Sequence, residues 1–141
     1  MPPNLLSLLT EETLCSLATC QDDQPHVSLM NFTYVPTERI LVLSSRRNTT
    51  KVAYLQKNPR VALLIARTGD GPEDSVSCTF HGWAQVVEPG LDEPYRQLHK
   101  TKHRTMDTFI TGEDIAIISI RLDHAVLADT RDQVRTWQFR S

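Results

Sequence analysis

The chain has 141 residues, of which 40% are hydrophobic, 23% charged and 6% aromatic, with a formal net charge of −2. That length and balance describe a single globular domain over 1–141 and exclude a disordered chain, whose apolar fraction would be lower and whose net charge higher. The absence of a strongly basic balance argues against a polyanion-wrapping role, so nucleic acid is not an expected partner.

Residues 4–9 are apolar but brief, and Thr10-Glu11-Glu12 follows at once. No run approaches the roughly 20 apolar residues that a membrane span needs, so no membrane partner is expected. The N-terminus lacks the basic start and apolar core of a secretory signal, and Cys15, Cys20 and Cys78 make an odd count. Together these predict reduced thiols and a cytoplasmic location.

Residues 13–20 and 26–35 read as a first hairpin around Gln21-Asp22-Asp23-Gln24-Pro25, whose acids and proline are turn formers. In the second strand His26, Ser28, Met30, Phe32 and Tyr34 share one face, and Val27, Leu29, Asn31, Thr33 and Val35 the other. Both faces are mixed, so neither is simply solvent. Residues 39–45 form a third strand ending in two serines. A helix follows, capped by Asn48 or Thr49, with Val52 and Leu55 on one face, and Asn58-Pro59 ends it. Residues 60–66 are a continuous apolar run, as in a strand covered on both sides.

After a polar loop at 68–75, residues 76–87 alternate cleanly as a strand. The acidic cluster Asp70, Glu73 and Asp74 in that loop is read as solubilising. Asp92-Glu93-Pro94 opens a second helix, and Lys100, Lys102, His103 and Arg104 close it, each end complementing the helix dipole. Three further extended segments, 115–122, 124–129 and 133–139, complete the chain. Seven or eight strands with two or three helices and little strand–helix–strand alternation predict a mainly antiparallel barrel with appended helices.

The segment Ser44-Ser45-Arg46-Arg47-Asn48-Thr49-Thr50-Lys51 lies between a strand end and a helix start. Unpaired amides and a partial positive charge at a helix N-terminus, joined by hydroxyls, a guanidinium fork and an ammonium, make a cradle for phosphate. Two readings stand at this point: that cradle, or a well-capped helix with solvated cations. No Gly-rich loop of the Walker or Rossmann type is present.

The run Leu17-Ala18-Thr19, Pro25-His26-Val27-Ser28, Leu43-Ser44-Ser45-Arg46, Thr50-Lys51-Val52-Ala53-Tyr54-Leu55 and Asn58-Pro59-Arg60-Val61-Ala62-Leu63-Leu64 resembles the flavin-binding split-barrel, or pyridoxamine 5′-phosphate oxidase-like, family. Phe80-His81-Gly82-Trp83-Ala84 is similar to the family's following strand. The resemblance implies a mainly β (α+β) fold, a six-stranded antiparallel split β-barrel with two or three peripheral helices. It also implies a homodimer with flavin mononucleotide (FMN) at the interface, acting as an oxidoreductase on a small molecule. Carried over, Leu43, Ser44, Ser45, Arg46, Thr50 and Lys51 would hold the phosphate and ribityl chain, Ser28, Leu29, Met30 and Asn31 would lie along the isoalloxazine ring, and Trp83, His81 and Trp137 would cover it from the other subunit. The ending Arg135-Thr136-Trp137-Gln138-Phe139-Arg140-Ser141 departs from the Arg-Leu-x-Pro substrate signature of true pyridoxamine phosphate oxidases, so that activity is not expected. Relatives that bind a deazaflavin or haem, and non-catalytic flavin or ligand binders, are the alternatives.

No metal site is expected. His99 and His103 share a helix face at a metal-ligand spacing, but they have basic neighbours and read as a solvated helix end. Cys15 and Cys20 fall on opposite strand faces and read as buried free thiols.

Overall fold

A computed structural model of the chain describes residues 1–69, 75–129, 131 and 133–140. The acidic cluster Asp70, Glu73 and Asp74 lies outside the described residues. The elements in order are α1 (Pro3–Glu11), β1 (Leu14–Gln21), β2 (Gln24–Val35), β3 (Ile40–Arg46), α2 (Thr50–Lys57), β4 (Arg60–Arg67), β5 (Val76–Val86), α3 (Glu93–Lys102), a 3-10 turn (Arg104–Met106), α4 (Asp107–Ile110), β6 (Ile115–Asp129) and β7 (Val134–Gln138).

Every strand pairing is antiparallel. The sheet runs β3-β2-β1-β4-β5-β6-β7, and β3 also pairs with β6. Six strands, β1 to β6, therefore close a barrel. The long β6 makes this possible: its residues 115–121 pair with β3 and its residues 124–128 with β7, so the barrel splits where β6 changes partner. The expected split β-barrel is the observed fold.

The first hairpin turns on Asp22 and Asp23, both at positive φ (50° and 64°), which short acidic side chains tolerate. Inside the barrel, Leu17, Phe32, Leu43, Leu63, Ile65 and Phe80 are fully or almost fully buried, with Leu55 of α2 packed on them.

The structure departs from the sequence expectation in several places, among them β4, which is covered on one face only, with Leu64 exposed on the other. Residues 3–11 form a helix, because Leu5, Leu8 and Leu9 at i, i+3 and i+4 spacing bury against the barrel end. Arg67 anchors that helix through Glu12 (2.8 Å) and Glu11 (2.9 Å). The segments 115–122 and 124–129 are one strand: a bulge opposite His81 and Gly82 leaves Asp123 unpaired without ending β6. Finally, His99 and His103 are not a solvated helix end. They are 0% and 6% exposed, on the face of α3 that packs against β2. Thr33 and the Phe32 carbonyl supply the hydrogen bonds that let two neutral imidazoles be buried.

Candidate functional site

β3 runs out of the core at Ser44 and Ser45, which are 7% and 2% exposed, and emerges at Arg46. The chain then reverses into α2. Thr49 caps this helix by accepting the Val52 amide at 3.4 Å, while its own hydroxyl donates to the Arg46 carbonyl at 3.2 Å. The amides of Thr50 and Lys51, in the first turn, have no intrahelical acceptor. Beside them lies a cleft of about 250 Å3, floored by Leu29, Met30 and Asn31 of β2 and bounded by Ser44, Ser45, Arg46, Thr49 and Lys51. Met106 and Phe109 form its outer wall. Arg96 holds that wall in place: its guanidinium pairs with Asp92 at 2.9 Å and donates to the carbonyls of Ile110 and Ile115.

The two cations at the cleft differ in state. Arg46 is exposed, pairs with Asp114 at 2.9 Å and lies 5.6 Å from the Phe109 ring centre. Lys51 is partly buried and, among the described residues, has no ion pair or side-chain hydrogen bond. Burial holds its ammonium below the usual lysine range. A partly desolvated cation without a counter-charge is a receptor for an anion.

Behind the floor, His103 Nε2 lies 2.7 Å from the Phe32 carbonyl oxygen. A carbonyl only accepts, so Nε2 carries the proton and Nδ1 is an acceptor. Asn31 Nδ2 donates to it at 3.4 Å. This orients the Asn31 amide and leaves its carbonyl oxygen for a ligand. The His103 pKa is lowered, chiefly by burial, which favours the required neutral tautomer. His99 is pushed down further, to about 3, by burial first and then by the charges of His103 and Lys102. Its Nδ1 pairs with Thr33 Oγ1 at 2.8 Å, and its buried Nε2 has no partner.

Of the residues expected at the site, Leu29, Met30, Asn31, Ser44, Ser45, Arg46 and Lys51 line one cleft. Thr50 is exposed on the first turn of α2, and Thr49 takes the inward position instead. Leu43 is 0% exposed in the barrel core opposite Phe32, so its side chain does not reach the cleft. Ser28 has a buried hydroxyl with no partner and lies outside the lining. Trp83 and Trp137 line separate depressions, and His81 stacks on His124 at 4.4 Å. Met106 and Phe109 were missed, although their i, i+3 spacing after the helix end was the available signal. Among the described residues no three His, Cys, Asp or Glu side chains converge on a metal position.

The cleft opens onto an unusual sheet face. Leu14, Val27, Leu29 and Leu64 are exposed on β1, β2 and β4, and the register sets Ser16 between Leu29 and Leu64. Val27 is 65% and Leu29 69% exposed. Contiguous exposed apolar side chains of this kind mark an interaction surface.

Residues 1–138 match the family model described as pyridoxamine 5′-phosphate oxidase. A pyridoxamine 5′-phosphate oxidase homolog of Schizosaccharomyces pombe is 31% identical over an alignment covering 99% of this chain and 91% of the relative. A FAD-binding protein of Mesorhizobium loti superposes with a TM-score of 0.73 at 18% identity, covering 89% of this chain and 92% of that one. A heme binding protein of Mycobacterium smegmatis superposes with a TM-score of 0.83 at 17% identity, covering 98% of this chain and 59% of that one. At these identities the two structures establish the shared fold.

Proposed function

From the premise that this chain belongs to the pyridoxamine 5′-phosphate oxidase family, we propose that it is an FMN-dependent oxidoreductase acting on a small molecule, with two chains completing each flavin site. The observation that carries this reading is Lys51, a partly buried ammonium without a counter-charge at the edge of a cleft lined by Ser44 and Ser45. Its neighbours are the free first-turn amides of α2. Together they offer two positive centres and several donors within one small corner, which suits the doubly charged terminal phosphate of a mononucleotide.

When bound, the flavin supplies hydride transfer. The chain's own residues bind and orient it. Lys51 and the α2 amides hold the phosphate, Ser44 and Ser45 offer hydroxyls to the ribityl side, and Arg46 adds charge from the rim. Leu29 would give the ring an apolar contact, while the Met30 side chain stays in the barrel core, and the Asn31 carbonyl, fixed by His103, would accept a hydrogen bond from the ring's polar edge.

Size and surface support the dimeric part of the proposal. A cleft of about 250 Å3 falls below the roughly 300–1,000 Å3 typical of small-molecule sites. The exposed apolar face beside it needs a cover, and Trp83 or Trp137 would reach the ring only from a second chain.

The test is reconstitution. Chain freed of cofactor is incubated with FMN, FAD or hemin, desalted, and read by visible absorbance. The proposal expects about one FMN retained per chain, followed by bleaching on anaerobic addition of a nicotinamide donor. Retention of hemin with FMN passing through free would refute it.

A further inference from the structure

Asn31 and Thr33 stand two apart on β2 and so share its outer face. His99 and His103, four apart at the end of α3, meet them from above, His103 on Asn31 and His99 on Thr33. The two imidazoles lie 4.6 Å apart, tilted by 60°.

This packing decides which way one amide points. The Phe32 carbonyl belongs to the backbone and cannot turn, so His103 Nε2 carries the proton that meets it at 2.7 Å. A second proton, on Nδ1, is opposed by burial of the ring and then by the Lys102 ammonium. That ammonium is itself held in place, donating to the Glu12 carbonyl at 2.7 Å and lying 4.2 Å from the centre of the Phe32 ring. Nδ1 therefore keeps its lone pair. Turned over, the Asn31 amide would set its oxygen against that lone pair, so only Nδ2 can face His103. The oxygen is left on the cleft side, where it has no hydrogen bond among the described residues.

The opposite side of the cleft donates. Lys51, Arg46 and the first-turn amides of α2 offer protons only, and the Ser44 hydroxyl can offer one. A carbonyl facing a row of donors gives the cleft a direction. The anionic end of a ligand belongs at the corner, and an N–H edge belongs at Asn31.

We propose that His103 is a positioning residue that sets the specificity of this cleft, holding the Asn31 carbonyl outward so that the site selects a ring edge bearing an imide N–H and disfavours an edge that only accepts. A site built to meet a donor rejects an analogue without one strongly, because its own polar group is then covered and unpaired. For the ring it names, the proposal rests on the flavin reading of the cleft, since the pyrimidine side of isoalloxazine carries such an N–H.

Two measurements test it. In the cofactor-free chain near neutral pH, imidazole nitrogen NMR is expected to show His103 protonated at Nε2 and bare at Nδ1. One Asn31 side-chain amide proton is expected downfield, a shift absent from H103L. In titrations, FMN is expected to bind at least about tenfold more tightly than its N3-methyl derivative, which lacks the N–H. H103Q, whose amide can still donate to Phe32 and accept from Asn31, is expected to keep that ratio, and H103L to bring it close to one. Each ratio is taken within one variant, so a less stable H103L does not mimic the result. A His103 proton on Nδ1, equal binding of the two flavins by the parent, or H103L discriminating like the parent would each overturn the assignment. The NMR measurement needs no ligand. A chain with the expected tautomer that retains neither flavin would support the relay and refute the flavin reading, so the two failures are distinct.

Discussion

Replacing Lys51 with alanine separates a phosphate receptor from a solvated helix cap. At about 4 Å and an effective dielectric near 20, a unit charge pair is worth roughly 4 kcal/mol before desolvation is subtracted. A hydrogen bond to a charged group nets about 1.5–3 kcal/mol, which corresponds to an FMN dissociation constant roughly 10- to 150-fold weaker in K51A. Arg46 should matter less. It is 63% exposed and already paired with Asp114, and exposed pairs contribute about 0–1 kcal/mol, so R46A should cost less than about fivefold. Asp114→Asn removes a carboxylate that competes for Arg46 and repels phosphate, so it should tighten binding. The assay is quenching of FMN fluorescence on titration with cofactor-free protein, at low and moderate salt, with melting temperature as the fold control. Lys51 has no partner among the described residues, so K51A should melt like the parent. Equal losses in K51A and R46A, or weaker binding in Asp114→Asn, would refute the reasoning.

Three further outcomes follow from the packing. His99 titrates near 3 in the fold against about 6.5 when unfolded, so the unfolded state takes up more protons between those values. Stability should be full above pH 6.5 and fall as pH drops toward 3, by an amount on the order of 5 kcal/mol for this group alone. His103 and Lys102 add to the repulsion, and H99Q should flatten the acid limb of a Tm-against-pH curve. L29D/L64D places two charges on the exposed face of β2 and β4, and sedimentation should show a dimer for the parent and a monomer for the variant; a parent that sediments as a monomer would remove the second chain from the site. Cys15 and Cys78 are buried, with thiols pushed up to about 12, so a thiol reagent should label only the half-buried Cys20 in the native state and all three in denaturant.

The strands were legible because the chain states its period plainly. The alternation of residues 76–87 and the Asp22-Asp23 turn are local signals, and both appear where local chemistry put them. The turn between β3 and α2 was equally readable, since Ser44 to Lys51 is contiguous and its cap, Thr49, acts through neighbours three residues away. What stayed hidden depended on distant parts of the chain. Leu43 is adjacent in sequence to the cleft serines yet faces the core, because the register set by Phe32 decides which way each β3 side chain points. His99 and His103 sit beside lysines and read as solvated, but Thr33 and the Phe32 carbonyl, some 70 residues earlier, supply the partners that bury them. Met106 and Phe109 reach the cleft only because Arg96 clamps their segment to the start of β6.

The central claim is that the corner between β3 and α2 grips a terminal phosphate. A crystal structure of the chain grown with FMN tests it most directly. The account predicts the phosphate within hydrogen-bond distance of Lys51 Nζ, with the Thr50 and Lys51 amides and the Ser44 hydroxyl as further donors. A phosphate seated elsewhere on the chain, or a corner filled only by water with Lys51 turned outward, would contradict it.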